Sequence, residues 1–207
     1  MTRKRGAAAE LEALRKRAAG CRDCPLWANA TQTVFGEGAA RARLMLVGEQ
    51  PGDVEDREGR PFVGPAGRIL DQALRDAGID RNLTYVTNAV KHFKWEPRGK
   101  RRMHKTPAQR EIDACYQWLE GEMQALEPVL IVALGATAAK VLLGSRFRIT
   151  VSRGEVQHRE GLPDVLPTFH PSFLLRLKDR PEGDEAYAQF VADLEIAKSY
   201  LPDKSDT

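Results

Sequence analysis

A lone imidazole, His104, sits inside the run Lys100-Arg101-Arg102-Met103-His104-Lys105. Residues 91–110 hold eight Lys or Arg and one acid, Glu96, while the whole chain carries a formal net charge of +3. The positive charge is therefore concentrated, and such a patch attracts a phosphate backbone. A histidine in a basic loop is usually a solvated phosphate contact. It can also be a group that acts on whatever the patch holds.

Four other segments carry groups of chemical interest. Gly48-Glu49-Gln50-Pro51-Gly52 offers backbone N–H groups that can cradle a carbonyl or phosphate, with a carboxylate beside them. Phe62, in Pro61-Phe62-Val63-Gly64, is a loop aromatic on which a base could stack. Asn88 can accept one hydrogen bond and donate another side by side, which matches the N3–H and O4 edge of uracil and mismatches cytosine. His170-Pro171-Ser172 places a donor where negative charge could develop. Behind it, Phe173-Leu174-Leu175 followed by Arg176 could form an apolar wedge with a phosphate clamp. Each segment alone is also compatible with a turn, a core plug or a helix start.

The elements that would position these groups alternate between strand and helix. Leu44–Val47, Leu83–Thr87 and Val129–Leu134 are short apolar runs with the signature of buried strands, and further strands are expected near Glu155–His158 and Val165–Phe169. Helices are expected over Ala9–Ala19, Ala66–Ala77, from Pro107 to Leu126 with Thr106 as N-cap, over Ala136–Leu143, and over Glu185–Tyr200. The stretch from Gly48 to Pro65 and the basic segment Lys91–Thr106 read as loops. The pattern predicts a three-layer α/β/α fold with a central, mainly parallel four-stranded sheet. Ligands in such folds bind at the carboxyl ends of strands, and Gly48, Asn88 and His170 all follow strands.

The 207 residues suit one domain spanning 1–207, with 1–8 and 202–207 expected to be mobile. No apolar run of membrane-spanning length occurs, and the basic N-terminus lacks the apolar segment of a secretory signal. Three cysteines fit a reducing, cytoplasmic compartment. Cys21-x-x-Cys24 is a short chelate, with Cys115 and His92 as plausible remaining ligands. By spacing alone this set suits zinc or iron–sulfur.

Taken together the motifs resemble the uracil-DNA glycosylase superfamily, in its cluster-bearing branch and within it the UdgX type. The resemblance runs from Cys21 to the last helix. It rests on Gly48–Gly52, Pro61-Phe62-Val63-Gly64-Pro65-Ala66-Gly67, Thr87-Asn88-Ala89-Val90-Lys91-His92-Phe93, the basic loop through Thr106-Pro107, and His170-Pro171-Ser172. It implies that Phe62 stacks on uracil and that Asn88 reads N3 and O4. The backbone of Gly48, Gln50 and Gly52, with His170, would hold O2. Glu49 would assist cleavage, and His104 would attack C1′ of the sugar and stay attached, in a single turnover. Lys100, Arg101, Arg102, Lys105, Ser172 and Arg176 would hold DNA. Cys21, Cys24, His92 and Cys115 would carry a [4Fe–4S] cluster. Met103 and Phe173 depart from the familiar pattern of that type.

Uracil-containing DNA, preferably single-stranded, is the expected partner of a monomeric protein. Arg101, Arg102 and Lys105 should lower the pKa of His104 and keep it a neutral nucleophile. Two other readings compete: a hydrolytic uracil-DNA glycosylase that turns over, and a non-enzymatic nucleic-acid-binding module with a zinc clip.

Overall fold

The computed structural model describes the backbone of residues 3–201 and the side chains of residues 6–201. In chain order the elements are α1 (Arg3–Ala18), β1 (Glu37–Gly38), β2 (Leu44–Gly48), α2 (Asp53–Glu58), α3 (Pro65–Asp76) and β3 (Thr84–Asn88). Then come β4 (Trp95–Arg98), β5 (Arg101–His104), α4 (Gln109–Leu126), β6 (Leu130–Leu134) and α5 (Ala136–Leu143). The last are α6 (Ile149–Ser152), β7 (Asp164–Thr168), α7 (Pro171–Leu177) and α8 (Glu182–Lys198). Among the described residues no helix is long and apolar enough to cross a membrane.

The main sheet has the order β1-β3-β2-β6-β7, with β3, β2, β6 and β7 parallel and β1 antiparallel at the edge. Alternation along each strand explains why β2 and β6 are apolar at nearly every position. Leu44, Leu46, Leu130 and Val132 face α3 and α8, where Leu70, Leu74, Phe190 and Leu194 pack. Met45, Val47, Ile131 and Ala133 face the other layer, against Leu119 and Met123 of α4 and Ala138 and Leu142 of α5. A strand buried on both faces has no polar side to show.

The chain leaves β2 for β3 on one side, then crosses to β6 on the other. This reversal opens a crevice at the carboxyl ends of the strands. The register aligns Gly48 with Asn88 and Leu134 with Thr168, so the segments that follow converge on one rim.

The expected three-layer fold is present, with several local differences. The two-residue β1 adds a fifth strand that is too short to leave a periodic signal. Lys91–Thr106 holds a β-hairpin, β4–β5, where a loop was expected; Gly99, at φ 59°, makes its turn. The Gly48–Pro65 loop contains α2. The helix after Pro107 begins two residues later, with Ala108 as its N-cap, because Glu111 reaches back to the Ala108 N–H at 2.7 Å. The strand expected at Glu155–His158 is reduced to a single bridge from Gln157 to Val165. Residues 3–8, expected to be mobile, belong to α1; residues 202–207 lie outside the described residues.

A buried polar knot joins β3 to α4. Glu122 accepts hydrogen bonds from the Tyr85 hydroxyl (3.0 Å), the Thr87 hydroxyl (2.9 Å), the Gly36 N–H (2.9 Å) and the Lys91 ammonium (2.6 Å). Lys91 also donates to Thr87 Oγ1 and to the Asn88 carbonyl, both at 2.7 Å. Both charged groups are fully buried, and burial beside Glu122 pushes the Tyr85 hydroxyl far above its ordinary pKa. Breaking such a pair from one side leaves an uncompensated charge in the core. Lys91→Met or Glu122→Leu alone should cost about 3–5 kcal/mol in denaturant unfolding, and the double variant should recover only part of that loss, because the Gly36 N–H and the Tyr85 and Thr87 hydroxyls still lack their acceptor.

Candidate active site

The rim of the sheet forms a pocket of about 360 Å³ lined by Glu49, Phe62, Asn88, His104, Thr137 and His170. Asn88 ends β3, and its Oδ1 is buried without a hydrogen-bond partner among the described residues. An orphaned acceptor costs about 1–3 kcal/mol, so its retention points to a ligand that supplies the missing donor. Phe62 is buried and holds a left-handed backbone, φ 55°, which is uncommon for a bulky residue and tends to mark functional sites. Two glycines make this arrangement possible. A Cβ at Gly48 would collide with Asn88 Oδ1 and meet Phe62 Cζ at 2.7 Å; one at Gly67 would collide with the Phe62 carbonyl.

His170 caps α7. Its Nδ1 accepts from the Ser172 N–H (3.1 Å) and lies 2.8 Å from the Ser172 hydroxyl. An amide N–H can only donate, so Nδ1 is unprotonated and the neutral ring carries its proton on Nε2. Burial, with smaller contributions from His104 and Arg176, pushes the His170 pKa down to about 4. His170 is thus a neutral donor, its ring 6.0 Å from that of Phe62.

His104 ends β5 and is half-exposed, with Nε2 3.4 Å from Glu49 Oε1. The other Glu49 oxygen accepts a short hydrogen bond from the Thr137 hydroxyl. The His104 pKa is lowered by burial and by Arg176, while Glu49 opposes the shift. The expected direction is present, but its cause is not the flanking Arg101, Arg102 and Lys105. Arg101 and Lys105 alternate to the other face of the strand, and Arg102, on the same face as His104, is neutralised by Asp53 and Asp56.

Other expected residues fall into two groups. Lys100 and Arg101 are exposed on the hairpin, and Ser172 and Arg176 line the pocket, so all four are open to a ligand. Lys105 is exposed too, paired with Glu96 at 2.9 Å. Arg102 departs from the expected phosphate contact. Its guanidinium is bound by Asp53 and by Asp56 (2.6 Å to the latter) and lies 5.4 Å from the rings of both Phe93 and Trp95.

Gln50 lines the pocket, but its side chain holds the hairpin. It accepts from the Lys94 N–H (2.9 Å) and donates to the carbonyls of Lys94 (3.2 Å) and Lys105 (2.9 Å). The Gly52 N–H goes to Glu55 Oε2 at 3.1 Å, and the other Glu55 oxygen takes the Gly64 N–H at 2.8 Å. Gly52 therefore acts through Glu55, which fastens the Glu49 loop to the Phe62 loop. Sequence reading missed Glu55 and Thr137. The Glu three residues after Gly52 is half of a capping-box signal; Thr137, 88 residues from Glu49, leaves none.

Cys21, Cys24 and Cys115 gather on one apolar patch with Trp118, whose indole N–H donates to Cys21 Sγ at 3.3 Å. The Lys91 N–H donates to Cys115 Sγ at 3.2 Å, and burial pushes the Cys115 thiol up to about 12. His92 Nε2 instead lies 2.9 Å from the Thr33 hydroxyl. Among the described residues no three His, Cys, Asp or Glu side chains converge as a single metal ion requires.

A crevice at a topological switch point thus brings together an orphaned amide, an aromatic, a carboxylate and two imidazoles. Residues 35–195 match the family described as the uracil DNA glycosylase superfamily, and the chain belongs to that superfamily. It is 40% identical over 192 residues to the type-4 uracil-DNA glycosylase of Thermotoga maritima, covering 92% of this chain and 94% of that protein. It is 37% identical over 173 residues to the type-4 enzyme of Sulfurisphaera tokodaii, covering 80% and 76%. A type-5 uracil-DNA glycosylase of Pyrobaculum aerophilum is 32% identical over 152 residues, covering 65% and 63%.

The depressed His170 value has a consequence for stability. Between pH 4 and the ordinary 6.5 the unfolded chain binds a proton at this residue that the folded protein does not. Stability should therefore rise with pH across that window, by on the order of 3 kcal/mol from this group. Unfolding measured from pH 4 to 7 should show the slope, and His170→Gln should flatten it.

Proposed function

We propose that the protein excises uracil from DNA and captures the resulting sugar on His104. The observation that carries this reading is the buried, unpartnered Asn88 Oδ1, which needs a donor such as uracil N3–H. Cytosine offers a lone pair there and would leave the amide unpaired, which is the more effective form of rejection. Phe62 supplies the stacking surface, and His170 Nε2–H points to the carbonyl O2 that gains charge.

Bond cleavage follows from these placements. The C1′–N1 pair leaves with uracil and spreads onto O2, where the His170 N–H stabilises it without giving up its proton. The electron-poor C1′ is met by His104. With Nε2–H facing Glu49 the free lone pair is on Nδ1; as Nδ1 bonds to C1′, the Nε2 proton passes to Glu49, 3.4 Å away. Thr137 holds the other carboxylate oxygen and so aims the acceptor. An N-alkylated imidazole is a poor leaving group at neutral pH, which makes the capture a single turnover of the UdgX type. Single-stranded DNA suits the site best, because extrusion costs least where no pairing opposes it.

The three cysteine thiols suit a [4Fe–4S] cluster. A cluster holds its ligands farther apart than one zinc ion does, with its bonds of about 2.3 Å, which agrees with thiols that share a patch without converging. Cys21, Cys24 and Cys115 would hold it, with His92 as the fourth ligand after release from Thr33. Its role there is structural, tying the end of α1 to α4 and to the segment after β3. Purified protein should be brown, with four irons per chain; a colourless protein with stoichiometric zinc would refute the cluster.

Mixing the protein with uracil-containing single-stranded DNA should give a slow band on a denaturing gel that survives heat and detergent. His104→Ser should lose that band and release abasic DNA. Glu49→Gln should slow formation of that band about 10²- to 10⁴-fold. Uracil release by the unsubstituted protein without the band would identify a hydrolytic glycosylase that turns over.

A further inference from the structure

We propose that a second groove, between α4 and α5, holds the nucleotide adjacent to the extruded deoxyuridine. This rests on the glycosylase reading above. The groove encloses about 530 Å³ and adjoins the active-site pocket, with Thr106 and Thr137 lining both. A strand whose sugar sits at His104 must leave the pocket mouth in two directions. One exit passes Ser172 and Arg176 on α7. The other passes Thr106 and Thr137 and enters this groove.

The groove has the makings of a base platform. Its apolar lining comes from Pro107, Ile112, Tyr116 and Val141. The Tyr116 ring is half-buried; it packs on the core around Leu119 and Leu142 and also lines the groove. Neither the Tyr116 hydroxyl nor the exposed Lys140 ammonium has a hydrogen bond or ion pair among the described residues. Lys140 thus stands at the rim as an uncommitted cation for a phosphate. The one acid in the groove, Asp113, accepts a hydrogen bond from Gln109 Nε2 at 2.7 Å. Stacking on an aromatic accepts any base, so the subsite would hold the neighbouring nucleotide without reading its identity.

The test measures uracil release in single turnover, as the protein concentration that gives half the maximal rate. The oligonucleotides carry one uracil and a tetrahydrofuran abasic unit on its 5′ side, on its 3′ side, or on neither. Removing the base on one side should raise that concentration about five- to 150-fold, the range of one base stacked on an aromatic. Tyr116→Ala should lose this discrimination and Tyr116→Phe should keep it. Lys140→Ala, a surface change that spares the fold, should reduce the slope of log affinity against log salt by about 0.7. The groove assignment is overturned if the flanking base matters equally in Tyr116→Ala and the unsubstituted protein, if it matters in neither, or if Lys140→Ala leaves the salt slope unchanged. Absence of uracil release from every oligonucleotide would instead sink the glycosylase reading, and the subsite with it.

Discussion

The β4–β5 hairpin makes no ladder with the main sheet, and an isolated hairpin is marginal in water. Yet His104, its last residue, must sit within reach of Glu49 on the rim of that sheet. Two anchors supply what the missing ladder would have. The Gln50 amide clamps the backbone at Lys94 and Lys105, the two ends of the hairpin. The Arg102 guanidinium, caught between two aromatic rings and two aspartates of α2, holds its middle. Gln50 adjoins Glu49, so one short segment sets both the carboxylate and the imidazole that faces it. The spacing between them depends little on how the outer end of the hairpin moves.

The same economy runs through the rest of the rim. Glu55 fastens the Glu49 loop to the Phe62 loop, and Lys91 links the Asn88 carbonyl to the buried Glu122. The amide of Lys91 also reaches Cys115. The Asn88 side of the pocket and the cysteine patch therefore share a single residue. A disturbance at the thiols has a direct covalent and hydrogen-bonded route to the Asn88 backbone at the edge of the pocket.

The sheet and its order of elements were legible because strands buried on both faces leave dense apolar runs, and because Gly78, Pro107 and Gly135 punctuate the chain. Pocket residues were legible where a motif carried them: Glu49, Phe62, Asn88, His104 and His170 do line one cavity. What escaped was whatever depends on partners distant in sequence. A stretch rich in Lys and Arg reads as a loop, because its strand pairing comes from alternation between two four-residue segments too short to show a period. Arg102 reads as a phosphate ligand because nothing near it in sequence announces Asp53 and Asp56. Thr137 reads as an ordinary helix residue until the fold brings it to Glu49.

The charge of the basic segment looks different once its partners are known. Of the eight Lys and Arg between residues 91 and 110, Lys91, Lys94, Arg102 and Lys105 are paired with Glu122, Glu111, the two aspartates of α2 and Glu96. Half of the apparent cationic footprint is thus neutralised internally and displaces no condensed counterions from a polyanion. Ionic strength should then act on this interface as it would on a moderately charged surface, and the protein can dwell on nucleic acid without being trapped by every stretch it meets.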